Sequence, residues 1–292
     1  MNRVTPWHQT NWDWRAAGNF LCGGAGTGLY LVTAWAPEFG GPLRLVGLVG
    51  LALVGIGLGC VWLEIGRPLR ALNVYLHYRT SWMSREAWFA LPYFGFGLLG
   101  LWFDAPALIV LAALSGLAFL YCQAKMLPAS KGIPAWRQPE LVPFMLVTGL
   151  AEGTGLALIL ASALAGPVTW HIWGLVVLLV IRAALWRRYR QATRTAGVPV
   201  KARAVLDGMD RPLLWGGHAL PLFLAAAALA AGDIAAWAAW AAALAGLATL
   251  AGGWYAKFTL ITRTAYNQGF ALAKLPVRGS GVPGPAAKPG WQ

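Results

Sequence analysis

Apolar runs of about 20 residues, the length an α-helix needs to cross a bilayer, recur eight times in this chain. They lie at 16–35, 45–63, 87–103, 105–125, 141–164, 168–186, 213–231 and 234–260. No strand-like alternation of apolar and polar positions recurs beside them, and in lipid an open strand could not satisfy its backbone amides. The runs therefore predict an all-α polytopic membrane protein with eight transmembrane helices. Composition agrees: 58% of the 292 residues are apolar and 11% are charged, which in a soluble domain would leave far too much apolar surface in water. Around the eight-helix domain, 16–260, lie a polar N-terminal segment, 1–15, and a C-terminal tail, 261–292, rich in Gly and Pro. The opening MNRVTPWHQTNWDWRA lacks the basic start and short apolar core of a cleavable signal peptide, so the first span is expected to be retained.

Eight spans put both termini on one side. That side collects every one of the 23 Lys and Arg residues except Arg44, while Glu38, Asp104 and Asp233 fall on the other. Loops rich in Lys and Arg stay cytoplasmic, so both termini are predicted to be cytoplasmic. Topology alone accounts for the asymmetry. The same basic surface also suits an acidic partner subunit or anionic lipid headgroups.

A weak internal likeness joins AGTGLYL, from Ala25, to EGTGLAL, from Glu152, and YCQAK, from Tyr121, to WYAKF, from Trp254. It suggests two four-helix units repeated in parallel. Glycines at 23, 24, 26 and 28, and at 55 and 59, let helices approach closely or offer smooth backbone to a flat ligand. Cys22, Cys60 and Cys122 stand singly in different spans, which supports neither an iron–sulfur cluster nor structural zinc and fits small core residues.

Polar groups concentrate in LEIGRPLRALNVYLHYRTSWMSRE, 63–86, which holds two carboxylates and four arginines. Glu64 at the end of the second span and Glu86 at the start of the third share the cytoplasmic face. One reading pairs Glu64 with Arg67 or Arg70 and makes Glu86 a first-turn residue after an N-capping Ser84. The other makes the two glutamates proton carriers, since burial raises a carboxyl pKa and nearby guanidinium groups lower it. Asn11, Trp12, Asp13, Arg15, Asn19, Arg211 and His218 converge on the same face, inside an aromatic rim of Trp12, Trp14, Trp82, Trp136 and Trp215. Intramembrane Glu152 requires either a partner or a task in proton conduction. His171 and His218 are expected on opposite sides of the membrane, which argues against a haem held by two histidines.

LEIGRPLRALNV, 63–74, followed by SWMSREAW, 81–88, resembles the membrane-anchor subunits of molybdopterin oxidoreductases. These are anchors of the dimethyl sulfoxide reductase type and, more distantly, of the polysulfide reductase type. WDWRAAGNFLCGGAGTGL, 12–29, extends the likeness. TRTAYNQGFALAKLPVRG, 262–279, looks like the anchors of phenylacetyl-CoA:acceptor oxidoreductases. The family commonly shows His-Leu-Gly-x-Pro-x-Arg and then Ser-x-Glu, so Glu86 takes the glutamate position and Glu64 stands where a histidine is usual.

The resemblance implies a quinone-binding anchor in a bacterial inner membrane, using ubiquinone or menaquinone. A partner iron–sulfur subunit would link it to a molybdenum or tungsten catalytic subunit that holds molybdopterin, with no metal or haem in this chain and no nucleic acid as partner. Glu64 and Glu86 are expected to exchange protons with the quinone, and Asn19, Gly23, Gly24, Arg70, Trp82 and His218 to line its site. Two other functions stay open: a secondary transporter using Glu152, disfavoured by the lack of inverted repeats, and a haem cytochrome b subunit, for which suitable histidines are lacking.

Overall fold

The structure, a computed structural model, describes residues 2–35, 42–65, 68–164, 169–232, 236–269 and 287–289. Nine α-helices occur among them: α1 (Trp14–Trp35), α2 (Pro42–Trp62), α3 (Trp82–Trp102), α4 (Pro106–Ala129), α5 (Leu141–Leu164), α6 (Thr169–Thr195), α7 (Val200–Leu214), α8 (Leu220–Ala231) and α9 (Ala236–Thr262). A five-residue π turn, Trp215–Ala219, joins α7 to α8, so the described helices form eight long rods. Short 3-10 turns at Pro68–His77 and Pro134–Arg137 cover one end of the bundle, and β1 (Asn2–Val4) pairs in parallel with β2 (Ala287–Pro289). Five of the rods are long and apolar enough to cross a membrane: Leu43–Trp62, Pro106–Ala129, Leu141–Leu164, Thr169–Thr195 and Val200–Ala231.

Several boundaries differ from those read in the sequence. The third helix starts at Trp82, where the Ser81 side chain accepts the Ser84 N–H at 3.3 Å. Ser81, not Ser84, is thus the cap, and Glu86 lies beyond the first turn, outside the reach of a dipole argument. Helices α6 and α7 run well past their apolar stretches because Arg, Ala, Leu and Gln continue a helix once an apolar segment anchors it. At the far end, Gly232 closes α8 with φ +67, a backbone conformation that costs glycine nothing.

Packing repeats between the halves. In the first, α1 lies against α2 and α4, and α3 against α4; in the second, α5 lies against α6 and α9, and α8 against α9. Across the seam α1 meets α5 and α9. The α1–α5 crossing is a backbone contact: a Cβ on Gly153 would sit 2.1 Å from the Gly28 carbonyl carbon, and one on Gly28 2.3 Å from the Gly149 oxygen. Gly55 and Gly59 are not used this way, since Gly55 meets only Phe94 at 3.9 Å and Gly59 has nothing within 4 Å. Gly153→Ala is therefore expected to lower the thermal midpoint in detergent markedly, because an overpacked contact costs about 1–3 kcal/mol or more and backbone cannot rotate aside. Gly95→Ala, which points a methyl into open space, should leave it unchanged; equal midpoints for both variants would refute the close crossing.

The chain ends meet at one end of the bundle. Gln9 N–H donates to Ala265 O at 3.0 Å, His8 bridges Tyr266, and Trp136 Nε1 donates to Leu260 O at 2.9 Å. Trp136 is fully buried, so it belongs to the core and not to an aromatic rim; Trp14 and Trp215 are exposed. At the opposite end Arg44 pairs with Asp104. Glu38, Asp233 and Arg67, and most of the tail, lie outside the described residues. Arg182 and Lys257, which the sequence assigns to the basic face, are instead buried side chains within the helices.

Candidate functional site

Three interactions fold the segment between α2 and α3 onto α3. Trp88 Nε1 donates to Tyr75 O at 3.0 Å, Arg85 Nε to Tyr78 O at 2.8 Å, and Arg85 Nη2 to Arg79 O at 2.6 Å. The next turn of α3 carries Glu86 inward, where only 2% of it is exposed. Its Oε1 accepts from Asn19 Nδ2 on α1 and from Gln123 Nε2 on α4, each at 3.1 Å, and Gln123 also donates to Asn19 O at 3.0 Å. Both bonds fall on Oε1, so Oε2 is the oxygen that remains for a proton or a ligand.

Two adjoining cavities open beside this cluster. One, about 220 Å³, is lined by Trp12, Asn19, Phe20, Glu64 and Met126; the other, about 590 Å³, by Leu58, Trp62, Arg70, His77, Ser84, Glu86 and Ala90. Val61, Ile65 and Met83 line both. Glu64 thus stands in the outer wall of one cavity and Glu86 in the inner wall of the other. Asn19 Oδ1, buried at the first cavity, has no hydrogen-bond partner among the described residues.

Glu64 is exposed in the turn after α2, yet partial burial raises its pKa, with Arg15 opposing and Asp13 adding to the shift. Arg15 holds Asp13 through Nη2 at 2.8 Å and reaches Leu63 O at 3.3 Å, which ties the N-terminal segment to the end of α2. Among the described residues, the cation acting on Glu64 is therefore Arg15, not Arg70, which instead lines the Glu86 cavity.

Other expected site residues serve different ends. A Cβ on Gly23 would lie 2.5 Å from Gln123 Nε2, and one on Gly24 2.2 Å from Lys257 Nζ; these glycines admit polar side chains and line neither cavity. Trp82 also lines neither: Arg85 sits 4.2 Å above its ring, and Tyr121 meets it edge-on. His218, in the π turn, belongs to a separate cluster. Arg182 Nε donates to His218 Nε2 at 3.2 Å, so Nδ1 carries the hydrogen and donates to Leu213 O at 2.7 Å. Arg182 lies eleven residues along α6 from His171, about 16 Å, so the two histidines sit at different depths.

Glu152 has the partner its depth demands. Lys257 Nζ on α9 donates to Glu152 Oε2 at 2.6 Å and to Phe20 O at 3.0 Å, with both side chains essentially unexposed. Gln123 and Lys257 therefore bond successive carbonyls of α1, those of Asn19 and Phe20. The sequence reading missed both, although the matched endings YCQAK and WYAKF set them in the same register behind a tyrosine.

A sequence profile of the DMSO reductase anchor subunit (DmsC) matches residues 42–207, more than half of the chain. This region carries Glu64, Glu86, Gln123 and Glu152. One sulfite dehydrogenase subunit of Allochromatium vinosum is 31% identical over 203 residues, which cover 59% of this chain and 62% of that protein. The similarity thus spans under two thirds of that relative's length. With its apolar helical bundle and the profile match across α2 to α7, the chain belongs to the DMSO reductase anchor subunit family.

Proposed function

We propose that this chain is the membrane anchor and quinone-binding subunit of a three-subunit molybdenum or tungsten iron–sulfur oxidoreductase. All eight rods cross a bacterial inner membrane in this reading, with both chain ends cytoplasmic, where an iron–sulfur subunit docks and links to the catalytic subunit. The observation that carries the proposal is Glu86, buried and clamped at Oε1, in the wall of a mainly apolar cavity that adjoins the one lined by Glu64.

The residues present fit a quinone. An apolar lining of Leu58, Val61, Ile65 and Ala90 suits a ring and its hydrocarbon tail, while Ser84, Arg70 and His77 offer donors to carbonyl oxygens. The unpartnered Asn19 Oδ1 is an acceptor suited to a hydroxyl of the reduced form. A bound quinone would supply the two-electron redox chemistry. Glu86 holds a proton at Oε2 and donates a hydrogen bond from it only when protonated. Glu64, exposed to water, exchanges protons between solvent and the cavities. The usual histidine, which donates while neutral, is replaced here by a group that must first be protonated.

Purification of the tagged protein from membranes in mild detergent tests the reading. A molybdenum or tungsten subunit, an iron–sulfur subunit and quinone are expected to co-purify, as read by mass spectrometry, metal analysis and quinone extraction. A lone chain free of metal and quinone, under conditions that preserve complexes, would overturn it in favour of transport. Against transport, Glu152 pairs through Oε2 with Lys257 and lines neither cavity, although its buried Oε1 has no hydrogen-bond partner among the described residues.

A further inference from the structure

One exposed stripe runs the length of α6: Trp173, Val177, Val180 and Ala184, then Arg187, Gln191 and Arg194, all exposed. These positions alternate by four and three residues, so they share a single helix face. Its first half is apolar and its second half cationic. The change of character falls where the apolar segment of α6 ends and the arginine-rich extension begins.

Between the cationic half and α7 lies a groove of about 490 Å³, lined by Arg187, Gln191, Arg194, Trp186, Asp210 and Leu214, with Arg190 at its base. Asp210 does not make the groove acidic. Its Oδ1 accepts from Trp186 Nε1 at 2.9 Å and from Arg190 Nε at 3.0 Å, and Arg190, almost fully buried, also pairs with Asp207. Arg190 therefore bridges both aspartates and locks α7 onto α6, and the one negative charge left over is outweighed by Arg187 and Arg194. Arg187 and Arg194 have no ion partner among the described residues and stand about 10 Å apart along the axis, with Gln191 between them.

We propose that this groove binds the headgroup of an anionic phospholipid, with the phosphate held by Arg187, Gln191 and Arg194. Guanidinium groups present paired N–H donors that match phosphate oxygens, and basic pockets at the cytoplasmic edge of helical bundles suit acidic headgroups. The acyl chains run down the apolar half of the stripe over Ala184, Val180, Val177 and Trp173, and Leu214 and Trp215, both exposed, flank them at the interface. That continuous apolar track favours a lipid over an acidic protein, which would need the arginines but leave the track unused. The proposal rests on α6 crossing the membrane and not on quinone binding.

The test compares wild type with Arg187→Gln/Arg194→Gln after reconstitution into phosphatidylcholine vesicles doped with phosphatidylglycerol. The complex is extracted, washed in detergent and examined by native mass spectrometry for retained lipid. Wild type is expected to retain phosphatidylglycerol over phosphatidylcholine, and the double variant to lose that retention roughly 30-fold. Arg187→Lys/Arg194→Lys should keep much of it, and Arg44→Gln at the opposite end all of it. Equal retention of both lipids by wild type overturns the site. So does a double variant that keeps its phosphatidylglycerol while shedding a co-purifying acidic protein, because the surface would then be a protein interface.

Discussion

Glu86→Gln is expected to lower quinone turnover by about 10²–10⁴-fold, the range lost when a positioned proton-transfer group is removed, while the protein still inserts and assembles. Glutamine keeps the shape of the side chain and can still accept from Asn19 and Gln123 through its one oxygen. It then places an amide nitrogen where Oε2 stood, a group that donates permanently but cannot exchange a proton. The substitution therefore separates binding from proton transfer. Steady-state oxidation of a soluble quinol analogue by the purified complex gives the rate, and quinone content of the same preparation shows whether the site still fills. Normal turnover with a filled site would remove Glu86 from the proposed chemistry. Loss of turnover together with loss of co-purifying subunits would show that the residue is architectural.

The bundle was legible from hydrophobic run lengths because span length is set by the bilayer and not by side-chain detail. What those runs hide is everything that crosses between helices. Glu64 and Glu86 stood out because carboxylates are rare here, with 10 acidic residues in the whole chain. Their neighbours do not follow from sequence proximity. Arg70 is near Glu64 along the chain, but among the described residues, which leave out Arg67, the cation that acts on Glu64 is Arg15, forty-nine positions earlier by number, because α1 packs along α2.

Gly23 and Gly24 show the same limit. Read as smooth backbone for a flat ligand, they are the spaces that Gln123 and Lys257 occupy, a role that depends on which helix comes to lie against α1. Depth alone groups His218 with the polar residues expected on the cytoplasmic face. The π turn instead faces it into α6, where Arg182, hydrogen-bonded also to Gly217 O and Thr249 O, takes up its free nitrogen. Lys257 sat at the end of a predicted span and read as a loop charge, and only the demand of Glu152 for a partner pointed back into the bundle.

That demand gives the second large effect. Lys257→Met should destabilise the protein by about 3–5 kcal/mol, the cost of leaving one member of a buried ion pair uncompensated, seen as a sharply lower thermal midpoint and poor recovery from detergent. The site cannot relax around the loss: Gly24 and Gly253 leave room for the pair alone, with a Cβ on Gly253 falling 2.3 Å from Glu152 Oε1, and neither of the two cavities near Glu64 and Glu86 is lined by the pair. Glu152→Gln/Lys257→Met should recover most of the stability, since removing both charges also removes the desolvation cost of each. A single variant as stable as wild type would show that Lys257 does not hold Glu152 charged. The double variant then decides what the pair is for. If it is stable and oxidises quinol at the normal rate, Glu152 and Lys257 join the two halves of the bundle at α1. A stable double variant without turnover would instead make the pair part of the proton route and reopen an intramembrane role for Glu152.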